Sequence, residues 1–154
     1  MKEQLLETWR THHRMNLLVI ENISDKGMQL SAGTKAGRNI FQQWIHIHNV
    51  RLQWLEVTAP DLAKSLTKLD KDMPFFQAEL LKHLEGSSQA LLTLFDRAWD
   101  SEGKVKGFKK GVIPLLGYFI SHESHHRGNI LLTLKQGGEK LADAVKWGIW
   151  EWGK

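Results

Sequence analysis

Apolar residues recur at spacings of three and four in four separate stretches of this chain, and that period admits only one class of fold. Leu5, Trp9, His13, Leu17 and Ile20 begin the series. Phe41, Trp44, Ile45, His48, Leu52 and Leu55 carry it through IFQQWIHIHNVRLQWLEV. Phe76, Leu80, Leu84, Ser87, Leu91, Leu94 and Ala98 form a third stripe, and Leu115, Phe119, His122, His126 and Ile130 a fourth. Residues at these intervals share one face of a helix. An alternating strand pattern never extends beyond a few residues, and there is no internal repeat. Each apolar face must be buried against another, which four helices of similar length achieve as a bundle. The expected fold is all-α, a four-helix bundle with short additional helices, in a single domain spanning 1–154.

Turn chemistry sets the expected boundaries. The first helix should stop near Gly27, and MQLSAGTKAGRN reads as a connection. Pro60 limits the second helix, because the residue before a proline avoids the helical region, and DLAKSLTKL can add a short helix. The third should begin around Pro74, capped by Asp72 or a neighbour, and reach Trp99. Gly86 inside it costs about 1 kcal/mol against alanine, which suggests a close helix contact. The fourth runs from about Val112 to Lys135 and is stopped by Gly137-Gly138. EKLADAVKWGIWEWG holds a short helix and three of the seven tryptophans; it should cover the end of the bundle, a homodimer contact being the alternative.

Composition excludes several classes of function. With 42% hydrophobic and 25% charged residues, the chain has the make-up of an ordinary globular protein. Its formal net charge of +4 is a mild excess, and the basic cluster GKVKGFKKG reads as a solvated loop. There is no cysteine, so no disulfide framework points to secretion and the protein supplies no catalytic thiol. The N-terminus is amphipathic and charged, unlike a signal peptide. No apolar run approaches the roughly 20 residues that span a bilayer. A cytoplasmic protein with no membrane and no nucleic acid among its partners is expected.

The densest chemistry lies in SHESHHRGN, from Ser121 to Asn129. His122 and His126 are four apart, hence neighbours on the fourth stripe. Two imidazoles there would need separate hydrogen-bond partners, whereas one metal ion satisfies both. The same residues match H-E-x-x-H, in which Glu123 would be the general base of a metal-dependent hydrolase. The extended form of that motif fails at Leu132, and Glu139, Asp143 and Glu151 lie beyond the glycine stop. Glu123 has a plainer reading as a surface pair with Arg127 at i,i+4. His125 sits about 100° round the helix and suits a supporting or exposed role. On the second helix His46 and His48 point about 200° apart, so only one can face a metal. His48 shares the apolar stripe, and His46 shares a more polar face with Gln42, Gln43 and Trp54. Periodicity favours His48, a polar lining favours His46, and the pattern leaves both open.

These residues resemble the DinB-like family of metalloenzymes, within the damage-inducible DinB and bacillithiol transferase-like superfamily. His122-Glu123-Ser124-His125-His126-Arg127-Gly128-Asn129 is similar to the family's H-x-x-H-H-R-G-Q segment. His46 precedes Trp54-Leu55 by eight residues, as in the family's second-helix motif. Trp147-Gly148-Ile149-Trp150-Glu151-Trp152-Gly153 resembles the ending of one branch. The resemblance implies a four-helix bundle holding a divalent metal ion, typically nickel or zinc, on three histidines. Carried over residue by residue, these are His46, His122 and His126. Asn129 departs from the family's glutamine, being one methylene shorter. Characterised members of the superfamily are thiol-dependent, among them bacillithiol transferases and a mycothiol-dependent maleylpyruvate isomerase. The implied activity is therefore thiol-dependent S-transfer from a low-molecular-weight thiol to a small electrophile. The alternatives are a non-catalytic metal- or ligand-binding bundle and the H-E-x-x-H hydrolase.

Overall fold

In a computed structural model that describes residues 1–33 and 37–153, the chain is helical and no β-strand occurs among the described residues. The helices are α1 (Lys2–Glu21), α2 (Asp25–Met28), α3 (Ile40–Thr58), α4 (Pro60–Ala63), α5 (Gln77–Asp100), α6 (Val112–Gln136) and α7 (Asp143–Gly148). The four long ones form the expected bundle. Among the described residues no helix is long and apolar enough to cross a membrane.

Local chemistry explains most boundaries. Asn39 accepts from the backbone N–H of Gln42 while the Gln42 side chain accepts from that of Asn39, a capping box that starts α3. Gly138, at φ +77°, lets the chain leave α6 as Glu139 N–H donates to Leu134 O at 2.9 Å. A Cβ on Gly137 would collide with Leu30.

Other expectations are corrected. The first helix ends at Glu21, ahead of Gly27. Gly27 lies inside α2, where an added Cβ would come within 3.0 Å of Ile23 and Leu134, so it serves close packing and not termination. The third helix starts at Gln77, with neither Asp72 nor Pro74 in it. Phe76 precedes its first turn and is 62% exposed, while Leu80, Leu84, Ser87, Leu91, Leu94 and Ala98 are buried as expected. A Cβ on Gly86 would meet only Leu66, at 3.4 Å, so no helix backbone approaches there. The short helix after Pro60 is a single turn. Of the connection 28–39, residues 34–36 lie outside the described residues.

The core divides into two apolar clusters. One gathers Trp9, Leu52, Leu55, Leu91, Phe95, Leu115 and Phe119. The other gathers Val19, Ile20, Trp44, Ile45, Leu80, Leu84, Ile130 and Leu134. Following the chain, α1 and α6 run from the first cluster to the second, and α3 and α5 run the opposite way. Parallel α3 and α5 require a long crossover, and the connection 59–76 supplies it. Ala63 and Leu66 pack on the first cluster, and Leu69, Met73 and Phe75 on the second. The tail closes part of the bundle through Val145 and Ile149, both buried, while Trp147 and Trp150 remain 63% and 71% exposed.

Between the clusters each long helix contributes buried polar residues: His12, His13 and Asn16, then His48 and Arg51, then Ser87 and Ser88, then Glu123 and Arg127. Arg51 and Glu123 are both 0% exposed. Arg51 Nε donates to Glu123 Oε1 and Nη2 to Oε2, each at 2.7 Å. Its Nη1 donates to Leu84 O at 3.0 Å, and the guanidinium lies 5.0 Å from the centre of the Trp9 ring. Glu123 Oε2 also accepts from His12 Nε2 at 2.9 Å and Asn16 Nδ2 at 2.7 Å. The expected surface pair of Glu123 with Arg127 does not form. Arg127 instead donates to Asn16 Oδ1 at 2.6 Å. Burial opposes ionisation of Glu123, but the Arg51 charge and its hydrogen bonds prevail and hold the carboxyl well below the usual carboxylate range.

Removing one partner of such a pair strands a buried charge. Arg51→Met is expected to lower the unfolding free energy by about 3–5 kcal/mol, measured by urea unfolding, and Arg51→Met with Glu123→Leu to recover most of that loss. A loss below about 1 kcal/mol in the single variant would contradict the central position given to this pair.

Candidate metal centre

His122 and His126 lie one turn apart on α6, and His46 projects toward them from α3. The ring centroids are 5.2 Å apart for His46 and His122, 4.8 Å for His46 and His126, and 4.8 Å for His122 and His126. One nitrogen from each ring falls within 4.8 Å of the other two, so the trio can hold a metal ion. His46 Nε2 and His122 Nε2 lie 3.3 Å apart. Two nitrogens on a tetrahedral ion with bonds of about 2.0–2.1 Å are separated by about 3.3 Å, so the closest pair already has the required spacing.

The protonation state suits this role. Burial, then the charge of Arg38, lowers the His46 imidazole to about 4. Burial and the neighbouring His122 and His46 lower His126 to about 4. His122 is lowered too, chiefly by burial. All three rings are therefore neutral at pH 7 and present lone pairs. Gln43, buried on α3, has its Oε1 3.3 Å from His126 Nδ1, which accepts the Nδ1 proton and leaves Nε2 free. On the other side, the Tyr118 ring stacks on His122 at 5.9 Å and 7°. His122 Nδ1 is buried and has no hydrogen-bond partner.

The three rings are only half-buried, and two of them border cavities. A groove of about 850 Å³ includes Gln43 and His126 in its wall. A smaller one of about 390 Å³ includes His46, Asn49 and Glu56. A ligand approaching from solvent can therefore reach the imidazoles.

The other sequence candidates lie elsewhere. His48 is fully buried, its Nε2 2.8 Å from Thr67 O and its ring against His83 at 5.5 Å, so it faces the crossover connection. His125 is exposed and accepts from Asn129 Nδ2 at 3.2 Å. Leu132 is exposed on the groove wall. Glu139 accepts from Ser24 and pairs with Lys26, and Asp143 pairs with Lys140, both away from the histidines. Glu123, the general base of the hydrolase reading, is sealed in the core with both oxygens taken by Arg51.

Sequence reasoning missed Arg51, His12, Asn16 and Arg38, and it placed Gln43 on the polar face of His46 without its contact to His126. Arg51 carried a usable signal, a charge one residue from Leu52 and four from Leu55 on a stripe whose other polar member is His48. Its partner had the same signature, since Phe119, Glu123, Arg127 and Ile130 are spaced four, four and three.

A search of curated proteins and a search of solved structures returned no match. The sequence model of the DinB family matches residues 1–145. Family match and histidine cluster agree, and the chain belongs to the DinB family.

Proposed function

We propose that the chain, acting as a single unit over 1–154, is a divalent-metal-dependent enzyme that joins a small thiol to an electrophile, with His46, His122 and His126 as the ligands of nickel or zinc. The observation that carries this reading is the convergence of three neutral, half-exposed imidazoles from two helices. Three protein ligands leave further coordination positions for a substrate. When bound there, the metal supplies stabilisation of a thiolate over a thiol at neutral pH.

The residues of the chain prepare that site. Gln43 fixes the tautomer and ring orientation of His126. Tyr118 covers one face of His122 and narrows its rotation. Because the chain has no cysteine, the nucleophilic sulfur enters with the cosubstrate. Glu123 takes no part as a base, which favours transfer over the H-E-x-x-H hydrolase. Thiol chemistry itself is drawn by analogy from the superfamily.

Three outcomes test this reading. In titration with nickel or zinc, the protein should take up one ion per chain; His46→Ala should weaken uptake by about two orders of magnitude or more, and His48→Ala should leave it unchanged. The reverse pattern would assign the site to the other face of α3. Since protons compete for His46 and His126 only as pH falls toward about 4, and His122 is lowered as well, metal affinity should stay level from pH 8 to about pH 5.5 and drop below it. A decline centred at the ordinary histidine value of about 6.5 would contradict the depressed values. Finally, a thiol-consumption assay should register a metal-dependent rate with an electrophile that His122→Ala abolishes. Metal uptake without a rate for any thiol would favour the non-catalytic binding bundle.

A further inference from the structure

The groove beside His126 has a charge pattern that metal binding does not use. Among its described wall residues are Arg38 and Lys71, and no aspartate or glutamate, in a chain that has 17 acidic residues. Gln42, Gln43, Asn129 and Gln136 add amide donors to the same wall. Gln42 and Gln43 belong to the first turn of α3, where the aligned peptide dipoles of a 19-residue helix leave a partial positive charge. Among the described residues no carboxylate pairs with Arg38, and its charge reaches all three histidines, lowering each of their pKa values. Lys71 is held at the rim because Gln42 Nε2 donates to its carbonyl oxygen at 3.3 Å. Its ammonium has only an exposed neighbour, Asp72, at 4.0 Å.

A solvent-open groove whose described wall carries two cations, four amide side chains and no acid, beside the N-terminal turn of α3 and with only the exposed Asp72 near Lys71, has a positive potential that selects negative ligands. We propose that this groove binds the anionic end, carboxylate or phosphate, of the molecule that reaches the three histidines, with Arg38 and Lys71 as its charge partners. The inference rests on the metal-site reading for the role of that molecule as substrate; the anion site itself stands on the groove. Arg38 is suited to either anion, since the planar guanidinium offers paired N–H donors that match two oxygens of one group. Arg38 and His126 line the same groove, so a ligand whose anionic end is held at Arg38 can reach the imidazole with its uncharged part.

The test titrates metal-free and nickel-loaded protein with succinate, inorganic phosphate and neutral succinamide, reading heat and the side-chain amide signals of Gln42 and Gln43. At least one of the two anions should bind and shift those signals, and the tighter one names the chemical class. Arg38→Ala with Lys71→Ala should weaken that binding about five- to tenfold in both forms of the protein. Lys110→Ala, which removes an exposed charge just before α6 at the far end of that helix, should not. Absence of binding by either anion, equal binding of succinamide, or equal weakening by Lys110→Ala would overturn the proposal. Failure of the metal reading has a different signature: no nickel uptake, with Arg38-dependent anion binding intact. Normal nickel uptake with an anion affinity indifferent to Arg38 and Lys71 would remove the anion site alone.

Discussion

The buried pair of Arg51 and Glu123 is the constraint on which the arrangement of the four long helices depends. Neither group can enter an apolar interior alone, and a bidentate geometry with two further donors to Glu123 Oε2 is what makes the burial tolerable. Those donors come from α1, through His12 and Asn16, and Arg51 also reaches a carbonyl of α5. One network therefore ties all four helices at mid-height, between two apolar clusters that could slide on one another far more freely. Its contribution is to fix rotation and register, a specificity role, more than to add net stability.

Fixing rotation is what creates the histidine cluster. With Glu123 pointed at the bundle axis, helix geometry puts His122 about 100° and His126 about 60° to the same side. With Arg51 inward on α3, His48 stays about 60° from it and enters the core, while His46 lies about 140° away on the opposite side. The histidine trio thus sits at the α3–α6 edge, where its rings are half-buried. Burial there is deep enough to keep the imidazoles neutral and shallow enough to admit a ligand. The negative charge nearest to them in sequence, Glu123, is neutralised by Arg51 and enclosed, so the groove facing them keeps the positive character that Arg38 and Lys71 impart.

The bundle was legible from the sequence because its evidence is local: the period of three and four and the glycine pair. Helix ends at Val112 and near Gly137 followed directly from such signals. What failed were judgements that needed a neighbour. Gly27 looked like a stop because nothing in the sequence announces that Leu134 packs on it. Glu123 looked like half of a surface pair because Arg127 is four residues away, whereas the true partner is 72 residues distant. Periodicity pointed to His48 for a related reason. It identifies the residue nearest the core axis, and in this protein the axis is occupied by the ion pair while the candidate site lies off it. The family motif pointed to His46, and the geometry brings that residue to His122 and His126. Phe76 was placed in a stripe because its spacing fits, but the helix begins one residue later and leaves it in solvent.

The central claim is that an ion at the α3–α6 edge is held by three imidazoles and keeps open positions. X-ray absorption at the metal K-edge of nickel- or zinc-loaded protein tests it most directly, because imidazole rings give a distinct multiple-scattering pattern. The account predicts three imidazole nitrogens at about 2.0–2.1 Å together with one or more light, exchangeable ligands. A spectrum with a single imidazole or none, or with a protein carboxylate completing a closed shell, would contradict it.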